Sequence, residues 1–591
     1  MNLGVDLGST YSSFSTYNKD THNVDLCRPG QGTPEAIPSI ACLDDDNAIL
    51  TGYDARQHLL TTDPGARTFS AFKMLLTENN EELLQERGYG SDYTPRAIAK
   101  KFLSQQIDKV LNNYSVEEVE NLVICVPEVW TTQTSVRQGK LDGRTILRDI
   151  CAGLEHVNPQ NIRIVSEPAA ASAYFAHHYR RTNEKGANFS GSLLIIDYGG
   201  GTLDLTLTEV HPLDTSVEIK VLFRTGAGEN VQGRTGNAGI AYMEETVRLA
   251  LKEAGEDASK LIPCNPDFRL AVNQLEGRLM AQIVSKSEGH EQDRALALRN
   301  AVDECGTDIS ALLDDHREFT SIRYCGEKRS VTFAHLKRAY DQVVQPELGR
   351  CLEETTRWMK DHKVNYENAN GDGFQVVLVG GFGKYLLVQK QVEEFFRRTS
   401  VNDARFRNGL GPSREYAVSM GAALLASGVM TIRHTAPYGL GVYSDASNAL
   451  FYAIPFRHEI KPGEQNWICT GKKPITFING QNSITHLLIG FDENLKAGTI
   501  IPLLPAMRRR ISRAYEQMSA DYRKRFPGNA AVVLHNIGFS MDESEVVSIL
   551  LRSVDSHGKA LLTLPPIELA DYQNMFSLAE TRVVDNCGDR R

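Results

Sequence analysis

Apolar residues along this chain fall into short runs cut by glycine. Residues 193–207, LLIIDYGGGTLDLTL, read as a buried strand, an aspartate, three glycines, and a second strand in which leucine alternates with polar residues. A turn between two strands needs only one or two residues able to take positive φ. Three glycines strip every side chain from the bend. A bare backbone suits either a tight hairpin or a nest of N–H groups, and phosphate is the common guest of such a nest.

Residues 2–17, NLGVDLGSTYSSFSTY, repeat the layout: an apolar run, Asp6, Gly8, Ser9, Thr10, then Tyr11 opening an alternating strand. Asp6 corresponds to Asp197 and Thr10 to Thr202. The separation far exceeds one solenoid repeat of about 20–50 residues and predicts one loop in each of two similar lobes with a cleft between. Strand-glycine-strand excludes a Walker loop and a dinucleotide fingerprint, both of which open a helix. A third glycine site follows strand Val376–Val379, where Gly380, Gly381 and Gly383 precede an amphipathic helix with Leu386, Val388, Val392 and Phe395 as its apolar positions.

Past residue 430 the pattern changes to short strands with Gly, Pro and Asn between them: GLGVYSD, ALFYAIPF, WICTG, PITFING and THLLIGFD, an antiparallel domain. Residues 506–528, AMRRRISRAYEQMSADYRKRFPG, predict one helix between sheet segments, ended by Pro527-Gly528. Arg508, Arg509, Arg510, Arg513, Arg523, Lys524 and Arg525 make it basic, as a solvated face or as a docking surface for an acidic partner.

With 591 residues the chain needs several domains or subdomains. A net charge of −10 argues against a general nucleic-acid binder, and no apolar run reaches the ~18 residues of a membrane span. The first strand starts at about Asn2, which leaves no room for an export signal and leads to an expectation of a cytoplasmic protein. Ten scattered cysteines without a C-x-x-C pair disfavour structural zinc, and Cys125 reads as ordinary core.

The ordered set GVDLGSTYSSF, AFKMLL (71–76), NLVICVPEVW (121–130), IRIVSEPAAASAY (162–174), IIDYGGGTLDLTL, VVLVGGFGKY and AVSMGAALLASG (417–428) resembles the heat-shock protein 70 (DnaK-type) branch of the actin-like ATPases, over roughly residues 1–430. The resemblance implies an α/β, two-lobed actin-like (duplicated ribonuclease-H-like) ATPase domain followed by a smaller, mainly β domain at 431–591. Lobe I would take about 1–188 plus 412–430, with RRTNEKGANFSGS as the link, and lobe II about 189–411. It implies slow ATP hydrolysis, with lobe closure controlling capture of a polypeptide client or dedicated protein partner. A nucleotide-gated scaffold with little turnover, a small-molecule kinase and a filament-forming protein are the rival readings of the superfold.

The site the resemblance implies holds ATP or ADP on Asp6, Gly8, Ser9, Thr10, Tyr11, Gly199, Gly200, Gly201, Thr202 and Asp204, with Gly380, Gly381 and Phe382 of the third glycine turn. Mg2+ would sit on the waters of Asp6, Asp197 and Glu167, and Asp204 is the candidate for a second cation such as K+. Lys73, in AFKMLL, matches the lysine that orients the attacking water; Lys73, Glu167, Asp197 and Thr202 form the expected catalytic set. Read alone, Lys73 is one of many solvated basic residues, and Glu167 before Pro168 suits a helix start for dipole reasons. Pro127 and, across a gap, Arg137 correspond to the family's nucleotide-state switch. The family's adenine clamp has its nearest match at VDECGTDIS, where Asp303 stands but Gly306 and Thr307 replace basic residues. Glycines 226, 228, 233, 236 and 239 are expected either beside phosphate or in a surface loop. Two departures stand out: VMTIRHTAPY replaces the family's linker, and no long helical lid follows the β domain.

Overall fold

In the computed structural model, strand Asn2–Asp6 turns through Gly8 into strand Tyr11–Asn18, which pairs with it antiparallel, Val5 opposite Phe14 and Asp6 opposite Ser13. The structure describes the chain except at residues 31–32, 64–65, 131–140, 183–188, 213–216, 229–235, 237, 264, 284–289, 306–308, 365–372, 398–414, 434, 437, 445–448, 457, 462, 471–472, 475–485, 491–496, 526, 528–533, 556–557, 569–581 and 586–591. Arg137, Gly233, Gly306, Thr307 and residues 183–188 of the RRTNEKGANFSGS link therefore lie outside the described residues. The described residues form two compact units, Met1–Val129 with Arg148–Ile432, and Trp130–Leu147 with Arg433–Arg591.

The first unit contains two sheets of one plan. In the first, Asn23–Cys27, Tyr11–Asn18 and Asn2–Asp6 lie antiparallel, and Asn121–Val126 and Ile162–Ser166 continue parallel. In the second, Val217–Ala227, Leu203–Pro212 and Gly191–Tyr198 lie antiparallel, Phe374–Val379 runs parallel to Gly191–Tyr198, and Met430–Arg433 closes the other edge. Parallel neighbours need long crossovers, which is why helices separate them in the chain. The repeated plan sets the two aspartates at equivalent strand ends, Asp6 level with Cys125 and Asp197 level with Val379. This is the α/β, two-lobed actin-like architecture, and Cys125 is buried in its sheet as a core residue.

Helix Ala417–Ala426 is buried along its whole length and locks these layers together. Its small residues let backbones meet: a Cβ on Gly421 would fall on the Ala170 carbonyl, and one on Gly4 would strike Ala423 N and Ser419 O. The polar group carried into this contact is satisfied, because Ser419 Oγ bonds Ser13 Oγ at 2.8 Å and Ser15 Oγ at 2.9 Å.

The second unit is mainly β. One sheet runs Ala449–Ile454, Leu440–Ser444, His486–Gly490, Ala497–Pro502 and Arg582–Asp585; the other runs Asn466–Trp467, Leu534–Met541, Val547–Val554 and Ala560–Thr563. Helix Pro505–Arg525 is inserted between strands Ala497–Pro502 and Leu534–Met541. Its stripe of Met507, Ile511, Tyr515 and Met518 recurs every three or four residues and joins Leu440, Ile501, Phe539 and Ile549 in one core. Arg144, fully buried in this unit, donates from Nε to the Trp130 carbonyl at 2.7 Å and places Nη2 3.2 Å from Glu545. Among the described residues, no helix is long and apolar enough to cross a membrane.

Candidate functional site

Each glycine hairpin ends a buried strand with an aspartate, and the two bends face each other. A Cβ on Gly200 would collide with Thr10 Oγ1, and one on Gly201 with Ser9 Oγ and Met74 Sδ. Only glycine permits that approach. The second bend is held from behind by helix Gly239–Glu253, whose first amides donate to the Gly199 carbonyl at 3.3 Å and the Gly200 carbonyl at 2.7 Å. Gly236 packs on Gly201, Gly228 on the Thr202 side chain and Gly226 against Leu203 O, so the described glycines of the 225–239 loop serve the bend directly. At the third glycine turn, Gly380 has φ +77° and its missing Cβ leaves room for Asp197 Oδ1. Phe382 turns inward, edge-on to Tyr198 at 5.1 Å and stacked on Tyr385.

Lys73, on the short helix Phe72–Leu75, donates its ammonium to Glu167 Oε1 at the head of helix Glu167–Thr182. Both side chains are buried. Burial by itself would lower the Lys73 pKa, but the carboxylates of Glu167, Asp6 and Asp197 outweigh it and the net shift is upward. Burial first and Glu167 second push Asp6 up to about 7, against the pull of Lys73. Asp197 is held well above the usual carboxylate range by burial, then by Glu167, Asp6 and Asp204. Asp204, directly across the ladder from Asp197, is raised likewise by burial, Glu167 and Glu128, while a Thr202 hydrogen bond opposes the shift.

Four carboxylates thus lie near one ammonium in a buried, low-dielectric cluster, which is the electrostatic condition for taking up a cation. Asp204 Oδ2 and Thr10 Oγ1 are buried without a hydrogen-bond partner among the described residues. One is an acceptor suited to a cation and the other a donor suited to a phosphate oxygen, so the donor set fits a metal–polyphosphate guest. No group of three or more His, Cys, Asp and Glu among the described residues closes directly on a metal. Magnesium, which keeps several waters and rarely takes an all-protein cage, does not require one.

Asp303 is exposed near the end of helix His290–Glu304 and makes no hydrogen bond or ion pair among the described residues. Glu276, which the sequence patterns did not single out, lies near Tyr11 and Arg56: it raises the Tyr11 pKa, and burial lifts its own carboxyl to about 7 against the pull of Arg56. Tyr11 Oη accepts from Arg56 Nη1 at 3.3 Å. Glu128, beside Pro127, was also missed; its backbone N–H donates to Asp204 Oδ1 at 2.8 Å. The signal was there only as a lone acid closing the apolar run of NLVICVPEVW.

A family model described as Hsp70 protein matches residues 65–221, which include Lys73, Glu167 and the whole second hairpin. The match extends to curated relatives: the chaperone protein DnaK of Nitrosopumilus maritimus is 24% identical over 434 residues, covering 72% of this chain and 55% of that protein. Over these residues the chain is similar to the heat-shock protein 70 family. The similarity is low: DnaK of Methanothermobacter thermautotrophicus is 25% identical over 431 residues, 71% of this chain and 59% of that protein, and DnaK of Endomicrobium trichonymphae is 25% identical over 428 residues. The chain spans little more than half the length of these DnaK proteins.

Proposed function

We propose that this protein is heat-shock-70-like: it binds ATP with magnesium between the two glycine hairpins, hydrolyses it slowly, and uses lobe closure to control capture of a polypeptide or dedicated protein partner. The lobes in this reading are about 1–188 with 412–430, and about 189–411, and the β-rich segment 431–591 receives the partner. The observation that carries the reading is the buried group of Lys73, Glu167, Asp6, Asp197 and Asp204 set beside two facing bare bends.

Hydrolysis of a phosphoanhydride needs charge neutralisation and an oriented water more than covalent chemistry. Asp6, Asp197 and Glu167 would hold magnesium through water, and the ion supplies neutralisation of phosphate charge. Thr10, Thr202, Ser9 and the glycine amides would orient the phosphate oxygens. Lys73, fixed by Glu167, would position the attacking water, and Asp204 would take a second cation, K+ being the monovalent candidate. In the family this chemistry belongs to cytoplasmic chaperones, which is the compartment proposed here.

Calorimetry with ATP, with and without magnesium, tests the reading. Tight binding that is lost without magnesium is expected, and Asp197→Asn should weaken the metal-dependent part more than the metal-free part. No heat at protein concentrations far above the micromolar range would overturn it. A nucleotide-gated scaffold with little turnover is the second reading, favoured by the engagement of Lys73 with Glu167; binding without phosphate release would select it.

A further inference from the structure

After strand Asn121–Val126 of the first sheet, the chain reaches across to the second sheet through Glu128. Its N–H donates to Asp204 Oδ1 at 2.8 Å, its Oε1 accepts from Thr206 Oγ1 at 3.1 Å, and its Oε2 lies 3.4 Å from Arg224 Nη1. Thr206 and Arg224 oppose one another on strands Leu203–Pro212 and Val217–Ala227, so one residue from the Asp6 side of the cleft is held by two strands of the Asp197 side. The Glu128 side chain is only 2% exposed. A second ion pair has the same plan: Arg87, which follows helix Glu81–Glu86, lies 3.3 Å from Glu244 on helix Gly239–Glu253, both side chains buried. That helix is the one whose first amides hold the Gly199 and Gly200 carbonyls.

Buried ion pairs of this kind are poor sources of net stability, yet parting them is expensive, because each charge is left desolvated without its partner. Their effect is to oppose motions that separate the partners. Loss of apolar contact at a lobe interface has no such directional demand.

We propose that Glu128–Arg224 and Arg87–Glu244 are two struts across the cleft, which hold the hairpins in register, keep Asp204 aimed into the cleft, and slow escape of a bound nucleotide. Glu128 is a positioning residue in this scheme: it acts through Asp204 and the second hairpin. The link to nucleotide escape rests on the nucleotide reading above; the restraint on the hairpins does not.

Hydrogen exchange of the full-length protein without nucleotide tests the restraint. Glu128→Ala and Glu244→Gln should speed amide exchange at least several-fold in peptides covering residues 2–17 and 193–207, leaving the buried helix 417–426 as protected as in the parent. Arg224→Gln should do the same, and adding Glu128→Gln to it should restore part of the protection, since the unpaired buried charge is then gone. Unchanged exchange at both hairpins, or a uniform rise across the chain, would overturn the struts. In parallel, release of a fluorescent ATP analogue should quicken by roughly tenfold in the single variants, as differences in affinity between related complexes appear mainly in the off-rate. Release at the parental rate from variants whose hairpins exchange faster would overturn the role in nucleotide escape. A parent that binds no nucleotide would remove the nucleotide reading, and the exchange data would still decide the struts.

Discussion

Lys73 and Glu167 meet as a buried ion pair although 94 residues separate them, the lysine on a four-residue helix and the glutamate at the first position of a sixteen-residue one. The pairing fixes the ammonium beside Asp6 and Asp197. Lys73→Ala is therefore expected to reduce phosphate release at least about a hundredfold, the scale for losing one preorganised electrostatic group, with ATP binding retained. The variant should also melt earlier, because it leaves Glu167 buried and unpaired, and Lys73→Ala with Glu167→Gln should recover part of the loss. Phosphate release equal to that of the parent would take Lys73 out of the mechanism.

Glu276 makes the stability of the first unit depend on pH with a definite sign. Its carboxyl rises from 4.5 to about 7, burial being the main cause and Arg56 the main opposition. Between those values the folded chain keeps a proton that the unfolded chain has released, so stability falls as pH rises through the window. Glu276→Gln should flatten that decline. Thermal melts of parent and variant across the window would show it, and identical slopes would mean that the proton is held elsewhere.

His535 should give the second unit the opposite sign. The ring sits between Ser519 and Ser553, its Nε2 3.3 Å from one hydroxyl and its Nδ1 3.4 Å from the other, and packs 4.3 Å from the Tyr515 ring. Burial lowers its pKa from 6.5 to about 4, so the unfolded chain takes up a proton first as pH falls. Stability contributed by the neutral ring is present above 6.5 and is lost on going down towards 4. His535→Gln should blunt the acid sensitivity of this unit, read by the fluorescence of Trp467, and an unaltered acid transition would remove His535 as its source.

On helix Pro505–Arg525 the buried stripe leaves Arg509, Arg510, Arg513, Arg523, Lys524 and Arg525 exposed and without ion pairs among the described residues. Arg508 differs, donating from Nε to the Leu503 carbonyl at 3.0 Å. Exposed charge pairs contribute only about 0–1 kcal/mol each, so docking of an acidic partner would need several together and weaken with salt. Reversing Arg509, Arg510 and Arg513 to glutamate should abolish partner capture and leave ATP binding intact. Capture that survives this change at low salt identifies the face as merely solvated.

Local pattern carried much of this protein. The alternation and glycines of 2–17 and 193–207 were enough to specify two hairpins with aspartates at their strand ends, because side-chain period and backbone freedom are properties of neighbouring residues. The helix of 505–525 was legible as a helix in the same way, while the face it buries, Met507, Ile511, Tyr515 and Met518, came from the structure. Family resemblance added Lys73 and Glu167 to the candidate set, and neither residue stands out in its own segment.

What the tertiary structure alone decided are the contacts between charges distant in the chain. Glu128 in a turn after a strand reads as a solvated acid, yet sheet register carries it onto Asp204, Thr206 and Arg224. Glu276 looks like one acid among many on a helix, yet burial beside Tyr11 and Arg56 singles it out. The sequence determined which segments become strands, bends and helices, since those follow from hydrophobic period and glycine placement over a few residues. Which charges lose their water, and which partners compensate them, was decided by how the two sheets and their crossover helices pack, because desolvation depends on everything surrounding a group in space.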